Sequence, residues 1–215
     1  PDAVASVQNA LVNAALTIEK ADDRTKTLIE AYQTRKALKE KLLGVLPRIG
    51  GPDALKLVVA EFNTKKGVSK DQAFKALTSW KDYSACDQLF TIASVGPEKY
   101  KAEAYQSYVD KISKSKINPD QKLLLLRKGM DLAKTADQKK LVIEGLKGNR
   151  TFLTLVFVAK YLDDKEVQNE AAHVAMGIAL PPSGSKEGMY GETVKQVLNK
   201  CIAVISGEES DYAKE

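Results

Sequence analysis

Histidine occurs once in 215 residues, at His173, so no His dyad, triad or multi-His metal site can be assembled within one chain. His173 lies one residue off an apolar helical face and reads as a surface or rim side chain. Cysteine occurs twice, at Cys86 and Cys201, far apart and without partners at metal-ligand spacing. Each falls on the apolar side of a predicted helix, where a thiol behaves as a small hydrophobe; a disulfide between them stays open. Arginine is scarce, five of the 33 basic residues. Nucleic-acid readers lean on Arg for bidentate base contacts. Here a Lys excess is mixed with 28 acids, the net charge is only +5, and no nucleic-acid partner is expected. The densest basic run, Arg35, Lys36, Lys39 and Lys41, is interrupted by Glu40 and reads as a solvated helix face.

Long hydrophobic runs are also missing. None approaches the ~18 apolar residues of a membrane span; the richest, Phe152 to Ala159, is one buried helix's worth. No segment alternates with period two long enough to predict a strand. Neither a Walker-type phosphate loop nor a dinucleotide-binding glycine pattern is present. Gly184-Ser185-Lys186-Glu187-Gly188 fails as a nucleophile elbow, because Ser185 takes the wrong position and no strand precedes it. The acidic pairs Asp22-Asp23 and Asp163-Asp164 sit at predicted helix starts, where the helix dipole favours them; Glu208-Glu209 lies in the tail. No catalytic residue, cofactor site or metal site is assigned.

What the chain does contain is a recurring register. Apolar or small residues at i, i+3 and i+4 mark one face of a helix. They recur as Leu42/Val45/Leu46, Ala73/Ala76/Leu77, Ala104/Ser107/Tyr108, Val142/Gly145/Leu146 and Ala172/Ala175/Met176, in steps of 31, 31, 38 and 30 residues. A period of ~30–40 residues marks stacked helical pairs. The fold class expected is all-α: a right-handed α-solenoid of about five HEAT-like helical hairpins spanning 1–206, with hairpins at 23–48, 52–80, 83–114, 119–147 and 151–179. Helix 2–20, with a stripe of Val4, Val7, Leu11, Ala14, Ala15 and Ile18, caps one end. Helix 191–206, with Val194, Val197, Leu198, Cys201, Ile202 and Ile205, caps the other, and 207–215 reads as a linker or tail.

Helix boundaries carry explicit signals. Capping boxes are predicted at Ser69/Gln72, Asn118/Gln121, Thr135/Gln138 and Asp163/Glu166. Pro52, Pro97 and Pro119 take first-turn positions, where a missing N–H costs nothing. The predicted helices include 34–48, 69–80, 83–94 and 165–179. First helices carry their own stripes, such as Leu55/Val58/Val59/Phe62 and Phe152/Leu155/Val156/Ala159. Asn149-Arg150-Thr151 matches a glycosylation sequon, but Asn149 and Thr151 also suit a helix end and the next helix's cap.

Two segments are candidates for binding. Trp80 and Tyr83 belong to a group of aromatics that also contains Tyr100, Tyr105 and Tyr108. Their faces could meet a sugar; alternatively Tyr105 and Tyr108 pack between helices and Trp80 plugs a turn. The irregular stretch 181–191 contributes Ser185, Lys186 and Tyr190. Long loops without structure are often functional.

Three stretches carry a family resemblance: Leu46-Pro-Arg-Ile-Gly-Gly-Pro-Asp-Ala-Leu55, Phe74-Lys-Ala-Leu-Thr-Ser-Trp-Lys-Asp-Tyr83, and Ile178-Ala-Leu-Pro181 with Gly184-Ser-Lys-Glu-Gly-Met-Tyr-Gly191. The hairpins resemble HEAT repeats. The stretches resemble the helical region before the catalytic domain in exported Bacteroidetes proteins of the 3-keto-disaccharide hydrolase family. That resemblance implies a periplasmic or cell-surface setting and a sugar-related polypeptide. With the repeat, the lack of a catalytic constellation and the linker-like tail, the role expected is a non-catalytic scaffold within a larger exported carbohydrate-active protein, partnered by a protein or a tethered catalytic domain. It transfers no catalytic residue. The alternative is direct contribution to a sugar-binding or glycoside-hydrolysing site, with carbohydrate as the ligand. The first residue, Pro1, suits a mature exported protein or an engineered fragment.

The register makes one energetic prediction. Ala76→Phe should overpack an inter-helix face and lower stability by ~1–3 kcal/mol, read as a lower melting temperature.

Overall fold

The computed structural model describes residues 2–20 and 23–205. Among them there are thirteen α-helices and no strand. The chain divides into two compact units, residues 1–108 and 109–215, with the division inside one helix. The tail expected at 207–215, Glu208-Glu209 and Asp22 lie outside the described residues.

The first unit contains α1 (Asp2–Leu16), α2 (Lys26–Thr34), α3 (Lys39–Leu43), α4 (Leu46–Ile49), α5 (Pro52–Thr64), α6 (Gly67–Thr78), α7 (Cys86–Val95) and the first part of α8 (Glu98–Lys114). Here α5 lies along α6, α6 also packs against α3, α4 and α7, and α1 meets α4. The predicted helix 34–48 is broken into a 3-10 turn (Lys36–Leu38), α3 and α4. Pro47 explains the break: it has no N–H to donate, and its ring clashes with a preceding helical carbonyl unless it sits in a first turn, as it does in α4. Gly50 and Gly51 then turn the chain at φ 77° and 101°. The φ of 77° and ψ of −160° at Gly50 are what favour glycine there, and a Cβ would also displace the Lys81 side chain. Lys81 donates its backbone N–H to Pro47 O (3.0 Å) and its ammonium to Ile49 O, tying the α6–α7 turn to the end of α4.

The N-terminal helix is shorter and rotated relative to expectation. It ends at Leu16 and buries Val12 and Ala15 against Val45 and Ile49, with Leu11 and Leu28 at the edge. Of the expected stripe only Ala15 is buried, while Val4, Val7, Ala14 and Ile18 are exposed. Alanines and small polar residues leave this helix with two competing apolar faces, and the Val45/Ile49 cluster selects one.

The second unit contains α9 (Pro119–Leu132), α10 (Ala136–Gly145), α11 (Phe152–Ala159), α12 (Gln168–Ala179) and α13 (Glu192–Val204). α9 packs on α10 and α11 on α12, while α9 also meets α11 and α10 meets α12; α13 covers α12. The α13 stripe buries Val194, Val197, Cys201 and Ile205, with Leu198 and Ile202 half-buried, as expected of its face. On α11 the buried face is Thr154, Leu155, Phe157 and Val158, and Phe152 is exposed. Because α11 is apolar all round, its sequence alone had no period to read.

The five-fold register is largely realised as burial. Of its fifteen positions, only Ser107 and Gly145 escape full burial. A Cβ at Gly145 would lie 2.3 Å from Ser113 Oγ, so small size is required at that crossing. Tyr105 and Tyr108 are core residues, as the packing alternative held. Phe62, Phe74 and Tyr100 form an aromatic cluster with centroids 4.7–5.9 Å apart. The Tyr100 hydroxyl leaves that cluster to donate to Asp71 Oδ1 (2.6 Å), which also accepts from Lys99 Nζ (2.6 Å). Those bonds hold the Asp71 carboxyl below the usual carboxylate range, Lys99 first and Tyr100 second.

Capping was partly legible. Asn118 accepts from Asp120 N and Thr135 from Gln138 N, while Gln138 Oε1 accepts from Lys134 N. Asn118 therefore caps α9 through the residue before Gln121 rather than as the box expected, and the boxes at Ser69/Gln72 and Asp163/Glu166 are not made. α6 starts two residues early at Gly67, and Asp163 instead pairs with Lys200 Nζ at 2.8 Å. Asn149 is buried, and its amide donates to Pro119 O (2.9 Å) and Thr154 Oγ1 (2.8 Å), linking the start of α9 to α11. Thr151 caps α11 by accepting from Thr154 N. The sequon is therefore a structural joint.

Two predictions follow from these buried groups. Asn149→Ala leaves the Pro119 carbonyl and Thr154 hydroxyl short of a donor and should cost about 1–3 kcal/mol in denaturant unfolding. Burial pushes the Cys201 thiol up from 9.0 to about 12 and raises the Tyr105 and Tyr108 hydroxyls above their ordinary 10.0. A raised folded-state pKa leaves stability intact below the ordinary value and removes it as pH climbs towards the folded value. The melting temperature should hold below about pH 9 and fall above it, and Cys201→Ala should soften the first part of that fall.

Candidate functional site

On α6 the apolar residues Ala73, Phe74, Ala76 and Leu77 are buried, and the charged Lys75 stays exposed. The first unit has a concavity on either side of α3. The first lies between α3 and α6. It has a volume of about 290 Å³ and is lined by Glu40, Leu43, Gly44, Gln72, Lys75, Ala76 and Ser79. Leu43 and Ala76 are buried and form an apolar floor, while Glu40, Lys75 and Ser79 are exposed at the rim. Gln72, released from the capping duty expected of it, has its Oε1 buried and accepting no hydrogen bond from a described group. Ser79 Oγ donates to Ala76 O at 3.3 Å. The pocket thus offers three acceptor groups (the Glu40 carboxylate, Gln72 Oε1 and the Ser79 lone pairs) and one cation, Lys75. Its size falls at the small end of ligand sites.

The second concavity lies between α1 and α3. It has a volume of about 360 Å³, and its walls are Ala3, Val4, Val7, Gln8, Leu11, Leu38, Lys41 and Leu42. Val4 is 43% exposed and Val7 61% exposed. Gln8 Nε2 donates to Lys41 O (2.9 Å), bridging the two walls. Neither the pocket nor the groove was read from sequence. The legible signal for the groove was that residues 3–18 contain no charged side chain at all. The pocket had none, since Gln72 reads equally well as a cap.

The five residues singled out from sequence are scattered. Trp80 is 1% exposed; its indole fills the turn after α6, so its faces are not available to a sugar. Tyr83, 41% exposed, stands in the 3-10 turn (Tyr83–Ala85) that Asp82 caps through Ser84 N. Ser185, Lys186 and Tyr190 belong to the second unit, and Tyr190 is 94% exposed. The loop carrying them is anchored at both ends. Met189 N donates to Ala179 O (2.8 Å), and Ser185 N donates to Pro182 O (2.9 Å). Arg150 donates to Gly177 O and Leu180 O, each at 2.6 Å, satisfying terminal carbonyls of α12. Ser185 Oγ accepts from Glu187 N, a turn role rather than a nucleophile's. His173 is exposed on α12.

Among the described residues no group of three His, Cys, Asp or Glu side chains is placed to hold a metal ion. No described helix is long and apolar enough to cross a membrane. Ala76 lines the α3–α6 pocket, which moderates the overpacking expected there: a Phe could lie in open space. The larger loss should come from Ala73→Phe, fully buried one turn earlier, at ~1–3 kcal/mol. No family model, curated protein or solved structure matches this chain.

Proposed function

We propose that the chain is a non-catalytic helical-repeat scaffold, a right-handed stack of HEAT-like hairpins whose second-helix face binds a protein partner or a tethered domain. The observation that carries the reading is the packing of like helices in consecutive hairpins. α3 meets α6 in the first unit; α9 meets α11 and α10 meets α12 in the second. That pattern, with the buried register, is what stacked hairpins require, and such stacks use their extended face for binding. The resemblance of three stretches to the helical region that precedes the catalytic domain in exported hydrolases extends the proposal to a periplasmic or cell-surface, carbohydrate-active setting. The α3–α6 pocket favours a second reading, direct sugar contact, because hydroxyl groups could satisfy Gln72 Oε1 and Glu40.

Photo-crosslinking separates the two readings. Benzoylphenylalanine replacing Lys75 or Glu144, both exposed on second helices, should give protein adducts of defined mass in extracts of the native source. Replacing Lys56 or Lys128 on first helices should not. Equal labelling of both faces, or none, removes the scaffold reading. Heat on titration with a disaccharide panel, abolished by Gln72→Ala, establishes the sugar reading instead.

A further inference from the structure

The groove between α1 and α3 has chemistry that identifies its occupant more narrowly. One wall is α1, uncharged from residue 3 to residue 18. It presents Val4, Val7 and Leu11 along one side, spaced i, i+3 and i+7. The helix has turned its other face, Val12 and Ala15, into the core, with Leu11 at the edge of that cluster, so Val4 and Val7 are the part of the stripe left uncovered. The opposite wall is Leu38, Lys41 and Leu42. It belongs to the densest basic segment of the chain, where Arg35, Lys36, Lys39 and Lys41 meet a single acid, Glu40. Glu40 lines the other concavity, and Lys39 sits over the Tyr32 ring at 4.9 Å. Arg35, Lys36 and Lys41 are exposed.

We propose that this groove docks an amphipathic helix with acidic flanks, an inference that rests on the interaction-module reading. From Val4 to Leu11 the stripe rises about 10 Å, two turns. That matches a partner helix presenting apolar anchors at i, i+3 or i+4, and i+7. Lys41 on the wall, with exposed Arg35 and Lys36 in the turns just before it, supplies charge complementarity to Glu or Asp beside those anchors, and selects against basic helices. The openness of the site argues against an acyl chain, which would stay half wet where Val4 and Val7 are exposed. A second copy fits poorly, since it would offer an uncharged α1 and another basic wall.

The test uses the whole chain and two labelled synthetic helical peptides. Both carry Leu at i, i+3, i+4 and i+7; one is flanked by Glu, the other by Lys. Fluorescence anisotropy should show the acidic peptide binding at least about tenfold more tightly than the basic one, with affinity falling as salt rises. Val7→Glu, at an exposed position, should weaken binding about tenfold or more while leaving the melting temperature unchanged. Lys41→Glu should weaken it several-fold. Equal binding of both peptides, or indifference to Val7→Glu, overturns the proposal. So does saturable binding of dodecanoate that blocks the peptide. Concentration-dependent dimerisation abolished by Val7→Glu assigns the groove to a second copy instead. If Lys75 crosslinks persist while the acidic peptide fails to bind, only the groove assignment falls; if both fail, the interaction reading falls with it.

Discussion

A helical hairpin cannot remove its own apolar face from water, and this constraint organises each unit. Burial is roughly proportional to apolar area, so every second helix must find a neighbour close enough to cover it. Close approach is what Ala73, Ala104, Gly145, Ala172 and Ala175 permit. At Gly145 even a methyl group would collide with Ser113 Oγ.

The turns between helices are tied by polar side chains that reach across to neighbours. Asn149 bridges Pro119 and Thr154, Lys81 bridges to the end of α4, and Arg150 holds the last carbonyls of α12. Lys81 and Arg150 satisfy carbonyls that a helix C-terminus leaves orphaned, while Asn149 clamps the first turn of α9 to α11. These residues look functional in a motif scan, as a sequon or as isolated cations. Their backbone partners lie about thirty residues away in sequence, so those roles are invisible to local pattern.

The same distance effect redistributes the candidate binding residues. Trp80 was an attractive sugar platform as a lone indole, yet it is the plug of a turn. Gln72 looked like a cap, yet its carbonyl oxygen is buried beside a pocket. α1 looked like a lid with its stripe inward, yet it leaves Val4 and Val7 outside.

Local physics was sufficient for the all-α class, for most helix ends and for the buried register. Hydrophobic spacing, proline and short-range capping act within a few residues, and Asn118, Thr135, Pro119 and the α13 stripe behave as their spacing implies. Pro47 and Gly44 also carried the break in the helix 34–48, although the apolar spacing across them masked it. Tertiary structure alone decided which face of α1 and of α11 turns inward, because alanine-rich or wholly apolar helices have no preferred side until a neighbour supplies one. It also decided where concavities open, since a groove is the gap left between two helices and belongs to neither sequence segment by itself.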